Sequence, residues 1–327
     1  MLAMKLSIVV VNMNSIRFLR PCLRSVFEET ERIDFEVIVV DNASTDGSCE
    51  MLAIEFPSAR VIVNQENIGF AAANNQGIKA SQGEYILLLN PDTEILDSAI
   101  EKTITFMAVH PNAAVVGCKL LFPDGRLQRS VGAFPCALNA FLEASFLYLL
   151  MPKTRLVSRR GFVYFDYSVE KEVDWVMGAY FMIRRSSIQE LGPLDEQFYM
   201  YAEETDFCLR AKNAGREVWF VPAAKVIHHW GGMSAVNRRV ILWVHLSQHL
   251  FLQKHYSGME KHAISMFRFG GALCRVVVYS AVGLFTLNRQ MFAKARYFAD
   301  AIVLLSSRRW LYNREPMKQM IPWTRFT

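Results

Sequence analysis

Short unbroken apolar runs recur along the first third of the chain, separated by stretches of helical period. Residues 6–11, 35–40, 60–63, 85–89 and 113–122 predict strands, and 6–11, 35–40 and 85–89 are apolar on both faces, as buried parallel strands are. Between them, Phe18, Leu19, Cys22, Val26 and Phe27 recur at helical spacing behind Ser15, a capping residue. Residues 70–80 predict an Ala-rich helix and 101–109 another. Gly77 inside the Ala-rich helix costs about 1 kcal/mol relative to Ala, so close packing of that face is expected. Strands alternating with helices predict an α/β fold, its sheet mostly parallel and right-handed, with helices on both faces.

Polar groups gather where those strands end. Asn12-Met-Asn14 follows the first, Asp41-Asn-Ala-Ser-Thr-Asp-Gly47 the second and Asn90-Pro-Asp-Thr-Glu94 the fourth. In open α/β sheets, ligands bind at the carboxyl ends of strands. No G-x-G-x-x-G follows the first strand and no P-loop motif occurs, which disfavours a dinucleotide fold or P-loop NTPase. Asp41, Asp46 and Asp92 offer carboxylates instead; held by them, a nucleoside diphosphate would need a bridging Mg2+ or Mn2+, cations suited to oxygen ligands.

A second polar cluster follows residue 122. Pro123–Arg126 predicts a tight turn, and Arg129 just after it is either a solvated residue or a diphosphate contact. Residues 173–184 predict a strand turning at Gly178. Phe198-Tyr-Met-Tyr-Ala-Glu-Glu-Thr-Asp206 opens a helix. Three acids there suit the positive end of the helix dipole. One carboxylate, desolvated by the aromatics, could equally take a proton from an acceptor hydroxyl. His228 and His229 end a further strand, as packed residues or as ligands.

Four blocks in order, Ser7–Asn14, 37–47, Asn67–Asn74 and 88–93, resemble the signatures of family 2 inverting glycosyltransferases, and the likeness runs over roughly residues 5–235. The resemblance implies a GT-A fold binding a nucleotide sugar. Val11, Asn12, Asn14, Asp41, Asn42, Ser44, Asn67, Gly69, Phe70, Asn74, Asn90 and Arg129 would then bind the donor, with Asp41 on the pyrimidine. Asp92 would be the metal-binding carboxylate of the DXD element, in which Asn90 replaces the first Asp, and His229 would join it. Trp175, Gly178 and Ala179 match the acceptor-side loop. Glu204 matches the general base, with Glu203 and Asp206 orienting it or binding acceptor, though Glu203 is the alternative base. The Asn-Pro-Asp-Thr and His-His-Trp-Gly-Gly segments are similar to those of rhamnosyltransferases. These imply a dTDP-sugar donor, with a UDP-sugar as alternative, and a lipid-linked saccharide acceptor in cell-surface polysaccharide synthesis.

Composition adds a division at about residue 235. Residues 233–327 carry 14 Lys and Arg against three acids, leaving 22 against 28 in residues 1–232. Lys261, Arg268, Arg275, Arg289 and Arg296 fall at seven-residue steps among apolar residues, the pattern of an interfacial helix. The longest charge-free run there is shorter than the about 20 residues of a membrane span. A transferase domain over 1–235 and a basic helical region over 236–327 are therefore expected, seated on the inner face of the cell membrane; a homodimer seam is the alternative. Six scattered cysteines and no signal peptide fit the cytoplasm. An acidic body without an RNA-binding signature argues against nucleic acid as partner. A nucleotidyltransferase would need a basic activation loop, which Arg17, Arg20 and Arg24 match poorly.

Overall fold

A computed structural model of the protein describes residues 5–147, 165–229 and 238–306, which divide into two compact units. The first unit takes residues 1–134, 165–196 and 203–234. It opens with β1 (Leu6–Asn12), α1 (Ile16–Glu29), β2 (Phe35–Asn42), α2 (Ser48–Glu55), β3 (Arg60–Asn64), α3 (Phe70–Ala80) and β4 (Tyr85–Leu89). Then come β5 (Thr93–Leu96), α4 (Ala99–Val109), β6 (Ala113–Leu121), β7 (Leu127–Gln128) and β8 (Val131–Gly132). After α5 (Ala137–Ala144), which belongs to the second unit, the first resumes with β9 (Lys171–Glu172), β10 (Trp175–Val176), β11 (Tyr180–Arg184), α6 (Arg185–Leu191), α7 (Glu203–Asn213) and β12 (Glu217–His228).

The main sheet runs β3-β2-β1-β4-β11-β6-β12-β5. β1 lies parallel to β2 and β4, β2 to β3, and β6 to β12, and every residue of β1 and β4 is buried, as unbroken apolar runs require. Besides the two-residue strands β7 and β9, which pair antiparallel with β6 and β12, two strands depart from the doubly wound expectation. β11 runs antiparallel to both β4 and β6, and β5 runs antiparallel to β12. The chain reaches β11 at the carboxyl end of β4, where the Ala179 carbonyl accepts from the Asn90 amide, and with no crossover helix it can only run back. At Gly77, a Cβ would overlap Val9 Cγ1, so α3 approaches β1 more closely than any other residue permits.

The second unit takes in residues 135–164 and 197–202 as well as those from 235 onward, so more than the basic tail builds it. Its described helices are α5, α8 (Arg238–His255), α9 (Gly258–Thr286) and α10 (Arg289–Ser306). Tyr199 stacks on Trp243 at 4.7 Å beside Leu242, Leu246 and Ala301, while Ala140, Leu252 and Ile264 form a smaller core.

Arg268 and Arg275 of the basic stripe turn inward, whereas Arg289 and Arg296 are exposed. Arg268 donates to Gln248 Oε1, and Arg275 donates to the Gly271 carbonyl (3.0 Å) with its guanidinium over the rings of Phe146 and Phe298. The exposed side of α9 is apolar instead, with Met266, Leu273, Val277 and Leu284 all at least half exposed. Its 29 residues hold a window of mean hydropathy 1.5 that is 17% buried, long and apolar enough to cross a membrane, where the charge-free run alone had suggested otherwise. Lys153, Arg155, Arg159, Arg160, Trp310, Tyr312, Trp323 and the 230–234 part of the His-Trp-Gly-Gly segment lie outside the described residues.

Candidate active site

The loops after β1 and β2 are tied together before any ligand enters. Asp41 is fully buried; its Oδ1 accepts from Asn12 Nδ2 (2.8 Å) and its Oδ2 from the Ser44 amide (2.8 Å). Ser44 Oγ accepts from the Asn14 amide (2.9 Å), and Asn14 Oδ1 accepts from the Thr45 amide (2.7 Å). Asp46 accepts from the Ile16 amide at the start of α1 and from Ser48 at the start of α2. Against burial that would raise it, those hydrogen bonds hold the Asp46 carboxyl below its usual range. A second set of amides follows: Asn42 donates to Asn67 Oδ1, which also accepts from the Gly69 amide, and Asn74 donates to the Phe70 carbonyl. Both sets lie at the carboxyl ends of β1 and β2, and Val11 lines the same end, buried.

Asn90 and Asp92 leave the carboxyl end of β4, the strand beside β1. Asn90 Oδ1 is buried without a hydrogen-bond partner among the described residues. Asp92 is nearly buried, with His228 Nε2 3.3 Å from its Oδ1, and the His229 amide donates to its carbonyl. His228 Nδ1 lies 2.7 Å from Gln128 Oε1. With Nδ1–H donated there, Nε2 turns a lone pair toward a carboxylate, an arrangement that a cation or a proton resolves. His229 instead pairs its Nε2 with Glu94 and packs on the Phe18 ring. The geometry thus brings His228 to Asp92, where the sequence pointed to His229.

The acidic start of α7 reaches the same place through the acceptor-side loop. A Cβ on Gly178 would lie 3.8 Å from the Cβ of Glu204, and the next residue, Ala179, holds the Asn90 amide at 3.0 Å. Glu204 is half-buried, Glu203 buried. Burial first, then the Glu204 charge beside it, push the Glu203 carboxyl well above its usual range. Asp206 is fully buried and bound to Arg210 (2.8 Å), whose other nitrogens donate to the carbonyls of Leu191 and Pro193. Trp175 donates to the Ala133 carbonyl (3.1 Å), and Arg129 is exposed, one residue past Gln128.

A mostly parallel sheet with polar loops at its carboxyl edge, and an acidic helix start joined to them through a glycine loop, suits the binding of a polar ligand at that edge. Residues 7–192 match the profile described as Glycosyl transferase family 2, more than half of the chain. The chain belongs to that family. This transferase is 27% identical over 249 residues to the N-acetylglucosaminyl-diphospho-decaprenol L-rhamnosyltransferase of Mycobacterium tuberculosis, covering 72% of this chain and 80% of that one. It is also 27% identical over 230 residues to the rhamnosyltransferase WbbL of Escherichia coli, covering 68% and 82%. Among solved structures it is similar to the mannosyltransferase PcManGT of Pyrobaculum calidifontis in complex with GDP-Man and Mn2+ (TM-score 0.58, 15% identity, 91% of this chain and 86% of that one). Another is GalNAc-T7 with UDP, GalNAc and Mn2+ (TM-score 0.54, 16% identity, 82% and 55%). The transferase thus has the GT-A fold, and both of those structural neighbours hold Mn2+.

Among the described residues, no cluster of three or more His, Cys, Asp or Glu side chains could hold a metal. The donors present nevertheless fit one that shares its ligands with a substrate. Asp92 and His228 Nε2, 3.3 Å apart, and the orphaned Asn90 Oδ1 two residues before Asp92 would be its protein ligands, with the remainder taken from phosphate oxygens, as Mg2+ or Mn2+ ordinarily does. Gln128 is the residue that sequence reasoning passed over, and His228 stood there only as the alternative to His229. Alternation along β12 could have found His228, since Val226 and His228 share the buried face while Ile227 and His229 do not.

Proposed function

We propose that this transferase moves rhamnose from dTDP-rhamnose to a hydroxyl of a lipid-linked saccharide in cell-surface polysaccharide synthesis, inverting the anomeric centre in one displacement. The observation that carries the reading is the 178–179 junction, where Gly178 lies against Glu204 and Ala179 binds the backbone of Asn90. This junction links the acidic start of α7 to the carboxyl end of β4, which supports a proton acceptor working beside the donor loops.

Glu204 takes the proton of the acceptor hydroxyl as that oxygen attacks C1. The C1–oxygen bond to the nucleoside diphosphate breaks with its electron pair going to the leaving group. Burial first, and then the Glu204 charge, raise the Glu203 carboxyl well above its usual range and so disfavour a second anion beside the base. Asp41 and the loop amides orient the nucleoside; Trp175, Gly178 and Ala179 border the acceptor. When bound at Asp92, Asn90 and His228, a divalent cation supplies neutralisation of the departing diphosphate. Both relatives are rhamnosyltransferases by name, which supports rhamnose as the transferred sugar.

The experiment is a thermal-shift series with dTDP-rhamnose, UDP-sugars and GDP-sugars, with and without Mn2+, followed by transfer assays on Glu204→Gln. The variant should bind donor as the wild type does and transfer about 10²–10⁴-fold more slowly, the usual contribution of general-base catalysis. Wild-type turnover by the variant would overturn the assignment of the base. The exposed apolar side of α9 supports a seat on the inner face of the membrane. Leu273→Glu with Val277→Glu should move the protein from the membrane to the soluble fraction; unchanged fractionation would refute that seat.

A further inference from the structure

The second unit holds a cavity of about 250 Å³ that sugar transfer does not use. It lies among α5, α8, α9 and α10 and is lined by Arg268, Arg275, His245, Gln248, Glu143 and Phe298, among others. Two guanidiniums from one helix, a helical heptad apart, face a single acid. Glu143 lies 3.6 Å from Arg275, so the lining is left with excess positive charge. Burial outweighs the Glu143 charge at Arg268 and lowers its guanidinium to about 10, still cationic at neutral pH. His245 is brought down to about 4, first by burial and then by Arg268 and Arg275, so it stands neutral. Its Nδ1 is buried without a hydrogen-bond partner among the described residues.

Two guanidiniums against one carboxylate inside a helical unit leave a positive charge without a counter-ion, and a dianion with several acceptor oxygens resolves that cost best. We propose that this cavity is a binding site for a phosphate group, held by Arg268 and Arg275, with Gln248 and the free nitrogen of His245 completing its hydrogen bonds. The acceptor that Arg268 meets in the cavity is Gln248, an amide that can turn its nitrogen toward an anion. The same two turns of α9 expose Phe269, Leu273 and Val277. A phosphate carried on a lipid would therefore find apolar surface next to its headgroup, whereas free phosphate or pyrophosphate would use the cavity alone. This site does not rest on the donor assignment, and its test uses no sugar nucleotide.

Two probes separate the sources. The full chain is titrated with inorganic pyrophosphate by calorimetry, and sedimented with phosphatidylcholine vesicles with and without about one-fifth phosphatidic acid. Anion-dependent binding in either arm is expected, and binding to the acidic vesicles beyond that to phosphatidylcholine alone would identify the lipid as source. Arg268→Gln should weaken the binding about tenfold, as loss of a charge-assisted hydrogen bond does. Gln248→Glu provides a second arm that does not depend on refilling a buried site. Gln248 is exposed, so the variant should fold normally while its carboxylate occupies Arg268 and lowers anion binding to the same degree. Absence of pyrophosphate binding together with equal sedimentation on both vesicles would overturn the site. So would wild-type anion binding by Gln248→Glu at an unchanged unfolding midpoint.

Discussion

Removing the Arg210 guanidinium tests how the acidic first turn of α7 is held. Asp206 is fully buried, and its Oδ2 lies 2.8 Å from Arg210 Nε, one helical turn along α7. The same guanidinium donates to the Leu191 carbonyl at 2.6 Å and to the Pro193 carbonyl at 2.8 Å. It thereby fastens the first turn of α7, which carries Glu203 and Glu204, to the turn after α6. Arg210→Met keeps the aliphatic packing on Phe207 but leaves a carboxylate in the interior without its partner cation. Breaking a buried pair from one side costs about 3–5 kcal/mol. Asp206→Asn should cost less, about 1–2 kcal/mol, because the Arg210 side chain is 19% exposed and keeps its carbonyl acceptors. In the double variant no buried charge remains, so the two losses should fall short of their sum by about 1–3 kcal/mol. Urea unfolding of the four proteins at constant m-value measures all three quantities. A loss under about 1 kcal/mol in Arg210→Met, or strict additivity, would refute the view that this pair anchors the helix.

Further expectations follow from the same geometry. The folded pKa of Glu203 lies above its unfolded value, so the native state holds the extra proton and stability falls as pH rises from the unfolded pKa toward the folded one. Glu203→Gln should remove that slope, at most about 1.4 kcal/mol per pH unit, and gain on the wild type at the alkaline end. Urea midpoints taken upward from the ordinary glutamate range to neutral pH would give parallel lines for the two proteins if Glu203 titrates normally. Gly77→Ala drives a methyl into Val9 Cγ1, so overpacking of about 1–3 kcal/mol should exceed the about 1 kcal/mol of helix propensity gained. Val9→Ala in the same chain should relieve it, and thermal midpoints that fail to show this coupling would count against the close contact.

What could be read from the chain in advance followed from how local each constraint is. The strand at 85–89 has no polar position, and those at 6–11 and 35–40 have one each, Ser7 and Glu36, near their starts, so burial on both faces and parallel pairing were legible from the apolar runs. Gly77 was legible for the same reason: a helix-weakening residue in an otherwise favourable helix needs a close neighbour, and Val9 is that neighbour. β11 was not, because an apolar run does not record its direction, and its reversal depends on where the 177–179 loop delivers the chain. At the site, Asp92 and Glu204 stand out as acids at element ends, yet the difference between His228 and His229 lies in the pleat of β12 and in Gln128, one hundred residues away. The basic stripe of α9 misled in an instructive way. Seven-residue spacing says that Arg268 and Arg275 share a face but not what covers it, and α5, α8 and α10 cover it here. The apolar residues then take the outer side, so the helix presents to its surroundings the face opposite to the one that charge spacing suggested.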